Sequence, residues 1–172
     1  FKKAIDKIMK ALGPIQLPAN DPNVPLVINT NIPDLPVPCP PFTVQGFTGK
    51  AGNEGTLERH AAITYTFIVH GLKAVGGRMS NPPSKWARTK TLVVQPRAGR
   101  QLNAYYDGSS LRFFYSNVKG NTVYTCESSD IVTHELGHAV LDIFRPDLWS
   151  VQSAETMAFH ESFGDMLAIV AA

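Results

Sequence analysis

No stretch of the chain is apolar for the roughly 18 or more residues that a membrane-crossing helix requires, and nothing at its start reads as a signal peptide. Cysteine is nearly missing. Cys39 and Cys126 are the only two, and they make no metal-binding spacing; they could pair or stay free, because sequence does not report the Cα separation a disulfide needs. An excess of charge is lacking too. Sixteen Lys and Arg against 14 Asp and Glu leave a net charge of +2, too little to draw nucleic acid or an anionic surface. The basic residues are scattered; Lys2, Lys3, Lys7 and Lys10 gather on a short amphipathic start and read as a solvated helix face. What remains, 44% hydrophobic and 17% charged over 172 residues, is the composition of one globular domain with its own core.

Proline divides the chain. Residues 1–12 read as a short helix ended by Gly13-Pro14. Pro33, Pro36, Pro38, Pro40 and Pro41 then exclude regular helix and central strand, so 14–45 reads as an extended arm. Gly46 to Gly55 is a glycine-rich loop without phosphate-loop order. Leu57 to Val75 reads as a helix stopped by Gly76-Gly77, and its His60 and His70 are read as ordinary core or surface histidines. Thr91–Gln95 reads as a strand closed by Pro96. Leu111–Ser116 reads as a further strand, with Asp107-Gly108 as the turn before it. The order is that of an α+β domain: a mixed or antiparallel sheet with a backing helix, followed by two more helices. The division expected is 1–45, short helix and Pro-rich arm, and 46–172, the functional domain.

The first of those two helices carries the chemistry. His134-Glu135-Leu136-Gly137-His138 is an HExxH motif within a stretch whose Ile131, Val132, Leu136, Ala139, Val140 and Ile143 recur at helical spacing. Ser128, Ser129 and Asp130 suit its start, and Pro146 marks its end, giving a helix from about 129 to 145. Residues four apart share a face, so both imidazoles can reach one zinc ion at about 2.0–2.1 Å. Glu135 points to a neighbouring sector, where it can act as a base on a water the metal activates. Gly137 costs about 1 kcal/mol at mid-helix relative to Ala, which close approach of another backbone or of the metal site would offset; plain helical slack is the alternative reading. Ser153 can cap the next helix. There Glu161 supplies a third ligand, and Asp165, one turn on, can accept a hydrogen bond from the far nitrogen of a ligating His.

HELGHAVLD followed by HESFGD resembles the thermolysin-like zinc metallopeptidases, the gluzincins. The resemblance implies a zincin-like fold and a zinc endopeptidase in which His134, His138 and Glu161 bind one Zn²⁺, Glu135 is general base and then proton shuttle, and Asp165 partners His134. Leu102–Gly108 is similar to the family's edge strand, which implies that the backbone of Asn103 and Ala104 pairs with an extended peptide substrate. The family's oxyanion-stabilising Tyr would fall near Trp149, whose indole N–H offers one donor; its later His falls in a helical subdomain after the Glu161 helix. The gap between His138 and Glu161 is longer than the family's, and His160 stands where an Asn is common. Calcium accompanies many members, and Asp130 matches one such position. Secretion is implied by the resemblance alone.

The apolar run 166–172 ends the chain without Gly, Asn or Pro. A natural terminus seldom leaves such a run uncovered, so the expectation is a piece of a longer protein, with a following subdomain or another chain covering 166–172. Peptide or protein is then the expected partner, with nucleic acid and a membrane span excluded. The rival readings are a zinc-binding but catalytically silent domain, and a non-enzymatic interaction module built on the Pro-rich arm.

Overall fold

A computed structural model describes residues 41–78, 91–151 and 153–172. The expected N-terminal helix, most of the Pro-rich arm and Cys39 lie outside them. The elements are β1 (Phe42–Val44), α1 (Leu57–Arg78), β2 (Leu92–Gln95), β3 (Ala104–Tyr106), β4 (Ser110–Phe113), β5 (Tyr115–Val118), β6 (Asn121–Tyr124), a 3₁₀ turn (Thr125–Glu127), α2 (Ser129–Phe144), the short α3 (Pro146–Trp149) and α4 (Ala154–Ala171).

Four strands form a mixed sheet in the order β1-β2-β4-β3. Its first three members run parallel and β3 runs antiparallel to β4. Phe42–Val44, the end of the stretch read as an arm, is extended and pairs with β2. Along β2 burial alternates, with Leu92 and Val94 inside and Val93 outside, as a pleated strand with one covered face requires. β5 and β6 make a separate hairpin.

Sequence and structure part at two points. The single strand expected over 111–116 is broken at Phe114. Its N–H donates to the Asn103 carbonyl and the Thr125 hydroxyl, which turns the chain out of the first sheet and into the hairpin. The helix expected to stop at Val75 runs on through Gly76 and Gly77 to Arg78; each glycine costs only about 1 kcal/mol, which a last turn tolerates.

α1, α2 and α4 pack together, and α2 also covers β3 and β4. Ile68 and Leu72 of α1, Leu92 and Val94 of β2, Leu111 and Phe113 of β4, and Val132, Leu136 and Val140 of α2 share one core. Each such side chain contributes roughly 1.5–3 kcal/mol when fully buried. Cys126 joins this core as a free thiol, and burial pushes it up to about 12. The helices begin where the sequence places caps. Ser128 Oγ accepts the Ile131 N–H ahead of α2, and Ser153 Oγ accepts the Thr156 N–H ahead of α4.

Candidate metal centre

α2 and α4 cross at two glycines. A Cβ on Gly137 would stand 2.7 Å from the Gly164 Cα, and one on Gly164 would stand 2.9 Å from His134 Nδ1. The mid-helix glycine inside HELGH is thus explained by close backbone approach, and Gly164 seats the His134 ring. The crossing brings residues 134–138 against residues 160–165.

Three side chains converge there. His134 Nε2 and His138 Nε2 lie 3.1 Å apart. Glu161 places its carboxylate 3.4 Å from His134 Nε2 and 3.8 Å from His138 Nε2. One atom from each of the three lies within 4.8 Å of the others. A tetrahedral centre with bonds of about 2.0–2.1 Å holds its ligand atoms roughly 3.3 Å apart, so this donor set fits zinc with a fourth position left open. His134 Nδ1, on the far side of the ring, lies 2.9 Å from Asp165 Oδ1; the carboxylate accepts from it and turns Nε2 toward Glu161.

The electrostatics agree with that arrangement. Burial, reinforced by the charge on His134, draws His138 down to about 4. Its imidazole is then neutral near pH 7, the form a metal takes. Burial raises the Glu135 carboxyl above the ordinary glutamate range, opposed by His134 and by a backbone hydrogen bond from Tyr106. A carboxylate of raised proton affinity is a better base near neutral pH.

A cleft of about 580 Å³ opens over these residues. Its floor is His134, Glu135, His138 and Glu161, and one wall is Ala104, Tyr105 and Tyr106 of β3. Among the described residues β3 is an edge strand. The hydrogen bonds from Phe114 N–H to Asn103 O and from Asp107 N–H to Ser110 O turn residues 103, 105 and 107 toward β4. By antiparallel alternation Ala104 and Tyr106 turn their backbone groups outward. Asn103 closes the end of this strand, its Oδ1 accepting the Ala104 N–H at 2.9 Å.

An apolar wall of Leu148, Trp149, Val151 and Met157 adjoins it. Trp149 stands edge-on to Tyr106 at 5.0 Å and to His160 at 5.4 Å. Its Nε1 lies 3.0 Å from where a Cβ on Gly108 would be, so the indole N–H edge faces the β3–β4 turn. Asp130 sits in the exposed first turn of α2, away from this cleft. Sequence reasoning missed the apolar wall and the burial of His160; adjacency to Glu161 was the only signal for the latter.

Residues 79–142 match the family model of the thermolysin metallopeptidase catalytic domain. Over that segment the chain is thermolysin-like. The matched segment reaches from the approach to β2 through HELGH, and together with the mixed α+β architecture it supports a metallopeptidase at family level; zinc is the metal that family implies. It stops before α4, so Glu161 and Asp165 join the site on the geometry above. Comparison with curated proteins and with solved structures gives no match.

Proposed function

We propose that this domain is a zinc-dependent endopeptidase in which His134, His138 and Glu161 hold the ion. The observation that carries the reading is the convergence of these three donors, from two helices, beside a buried glutamate and an open strand edge. Zinc, when bound, supplies polarisation of the scissile carbonyl and acidification of water. The residues of the chain supply the rest. Ala104 presents its outward backbone to an extended peptide, in the manner of strand addition. Glu135 takes the proton from water and delivers it to the leaving amine nitrogen. Asp165 holds the tautomer of His134. Trp149 is the candidate donor toward the developing oxyanion, acting only if its indole N–H leaves the Gly108 turn.

The test is Glu135→Gln in the chain as it stands and in any longer form that cleaves peptide. Zinc content stays near one equivalent while cleavage of an unstructured protein substrate falls at least about 100-fold. Turnover retained by Glu135→Gln would remove Glu135 as the base. Zinc bound without chelator-sensitive cleavage in any form would favour the silent zinc-binding domain instead.

A further inference from the structure

The face of the sheet turned away from α2 carries a cation that the metal site does not use. Tyr105 of β3 and Arg112 of β4 are cross-strand partners, and such partners share a face. Leu111 and Phe113, the neighbours of Arg112, are buried in the core with α2 packed over β4, so Arg112 and Tyr105 stand on the outer face. There the guanidinium carbon of Arg112 lies 5.9 Å from the centre of the Tyr105 ring, and Phe114 flanks that ring at 5.4 Å. Arg112 is anchored by one nitrogen. Its Nε donates to Ser110 Oγ at 3.2 Å and lies 3.1 Å from Asp107 Oδ2. Asp107 is fixed in turn by the β3–β4 turn, accepting the N–H groups and the hydroxyls of Ser109 and Ser110. The Arg112 side chain is 41% exposed, and its two terminal nitrogens make no hydrogen bond among the described residues.

We propose that Arg112 is a specificity-determining residue, selecting peptides that carry an acidic side chain beside the residue paired with Ala104; this rests on the endopeptidase reading above. A peptide added along β3 continues the pleat of the sheet. Its residue opposite Tyr105 therefore lies on the outer face against the Tyr105 ring, and the residues on either side of it turn toward the cleft. The two faces offer different chemistry. On the cleft side stand Leu148, Val151 and Met157, which suit apolar side chains. On the outer side stand an aromatic ring and a guanidinium with free donors. Arg112 is two strand spacings from the peptide, on the order of 10 Å, and it already leans over the ring between them. A glutamate leaning the other way closes that gap, with its methylenes on the ring and its carboxylate at the terminal nitrogens. The nearby Asp107 offsets part of the positive charge, so the preference is modest, and a lysine at the same position meets repulsion.

The probes are short peptide hydroxamates, with the metal-binding group at either end and Ala, Glu or Lys placed at one position at a time. Their affinities for the full zinc-loaded chain are measured by competition against a fluorescent member of the set. At one position the Glu probe binds about 3- to 10-fold more tightly than the Lys probe. Arg112→Gln abolishes that ratio, Arg112→Glu inverts it, and Arg112→Lys keeps its sign. A parent that binds Glu and Lys probes equally at every position would overturn the proposal. So would Arg112→Gln and Arg112→Glu variants that weaken all probes alike with the ratio kept, since Arg112 would then only hold the turn. Should these variants fail to fold, salt decides in the parent: raising it from about 0.05 to 0.5 M shrinks a preference that rests on an exposed ion pair, and a Glu preference unmoved by salt overturns the assignment. Failure of the underlying reading looks different. No probe would bind, or binding would survive removal of zinc by a chelator, and the selectivity of Arg112 would fall with the metal site.

Discussion

At the scale of single residues, the site depends as much on what is absent from two positions as on the side chains that converge. Gly137 and Gly164 let α2 and α4 approach until backbone meets backbone, and the His134 ring sits in the space a side chain at 164 would fill. Two effects compete on replacing Gly137 with Ala. Helix propensity gains about 1 kcal/mol. Overpacking at a rigid contact costs typically about 1–3 kcal/mol, and the atom a Cβ would meet first is the Gly164 Cα at 2.7 Å. Backbone cannot step aside as a flexible side chain can, so the cost wins. Gly137→Ala is expected to lower the denaturant midpoint, whereas a raised midpoint would show that the two helices separate freely.

At the scale of elements, a buried polar network fixes where α2 begins. His60 on α1 is 1% exposed, its Nδ1 accepts from Arg97 Nε at 2.7 Å, and its Nε2 lies 3.1 Å from a Glu127 oxygen. Tyr124 packs on the His60 ring at 4.1 Å, and the Arg97 guanidinium lies over the Tyr124 ring. The loop after β2, the end of β6 and the 3₁₀ turn before Ser128 are thereby tied to one helix. Arg97→Ala leaves the buried His60 Nδ1 without a donor, a loss of about 1–3 kcal/mol of stability. Glu127→Gln keeps a hydrogen-bond acceptor at a partly exposed position and costs less than about 1 kcal/mol. Chemical denaturation of the two variants checks the order, and a Glu127→Gln loss exceeding that of Arg97→Ala would contradict it. This network was not legible in the sequence, where His60 reads as an ordinary core histidine. Its partners come from segments 37 and 67 residues away, and local periodicity carries no record of such pairings. The same limit hid the parallel order β1-β2-β4 and the break at Phe114. By contrast α2 and α4 were legible almost to the residue, because cap, apolar stripe and ligand spacing are all encoded within a few turns.

At the scale of the whole molecule, the proposed metal site joins two helices that are separate in the chain. His134 and His138 come from α2 and Glu161 from α4, and these two helices meet backbone to backbone at Gly137 and Gly164. A ligand that binds only the folded state stabilises it by mass action, about 2.7 kcal/mol when free ligand stands at 100 times its dissociation constant. For a domain of this size about 1 kcal/mol moves the melting temperature by roughly 2–4 °C, so saturating zinc raises it by several degrees and a chelator reverses the rise. Glu161→Gln withdraws the α4 ligand while leaving an exposed polar side chain of nearly equal shape, and it removes most of that shift. Glu155→Gln, an exposed acid in the first turn of α4, leaves the shift intact and controls for nonspecific binding to carboxylates. Scanning calorimetry with and without zinc separates the outcomes. An equal zinc-dependent rise in the Glu161→Gln variant and the parent would mean that the ion is held within α2 alone, and the closure of the site by α4 would have to be abandoned.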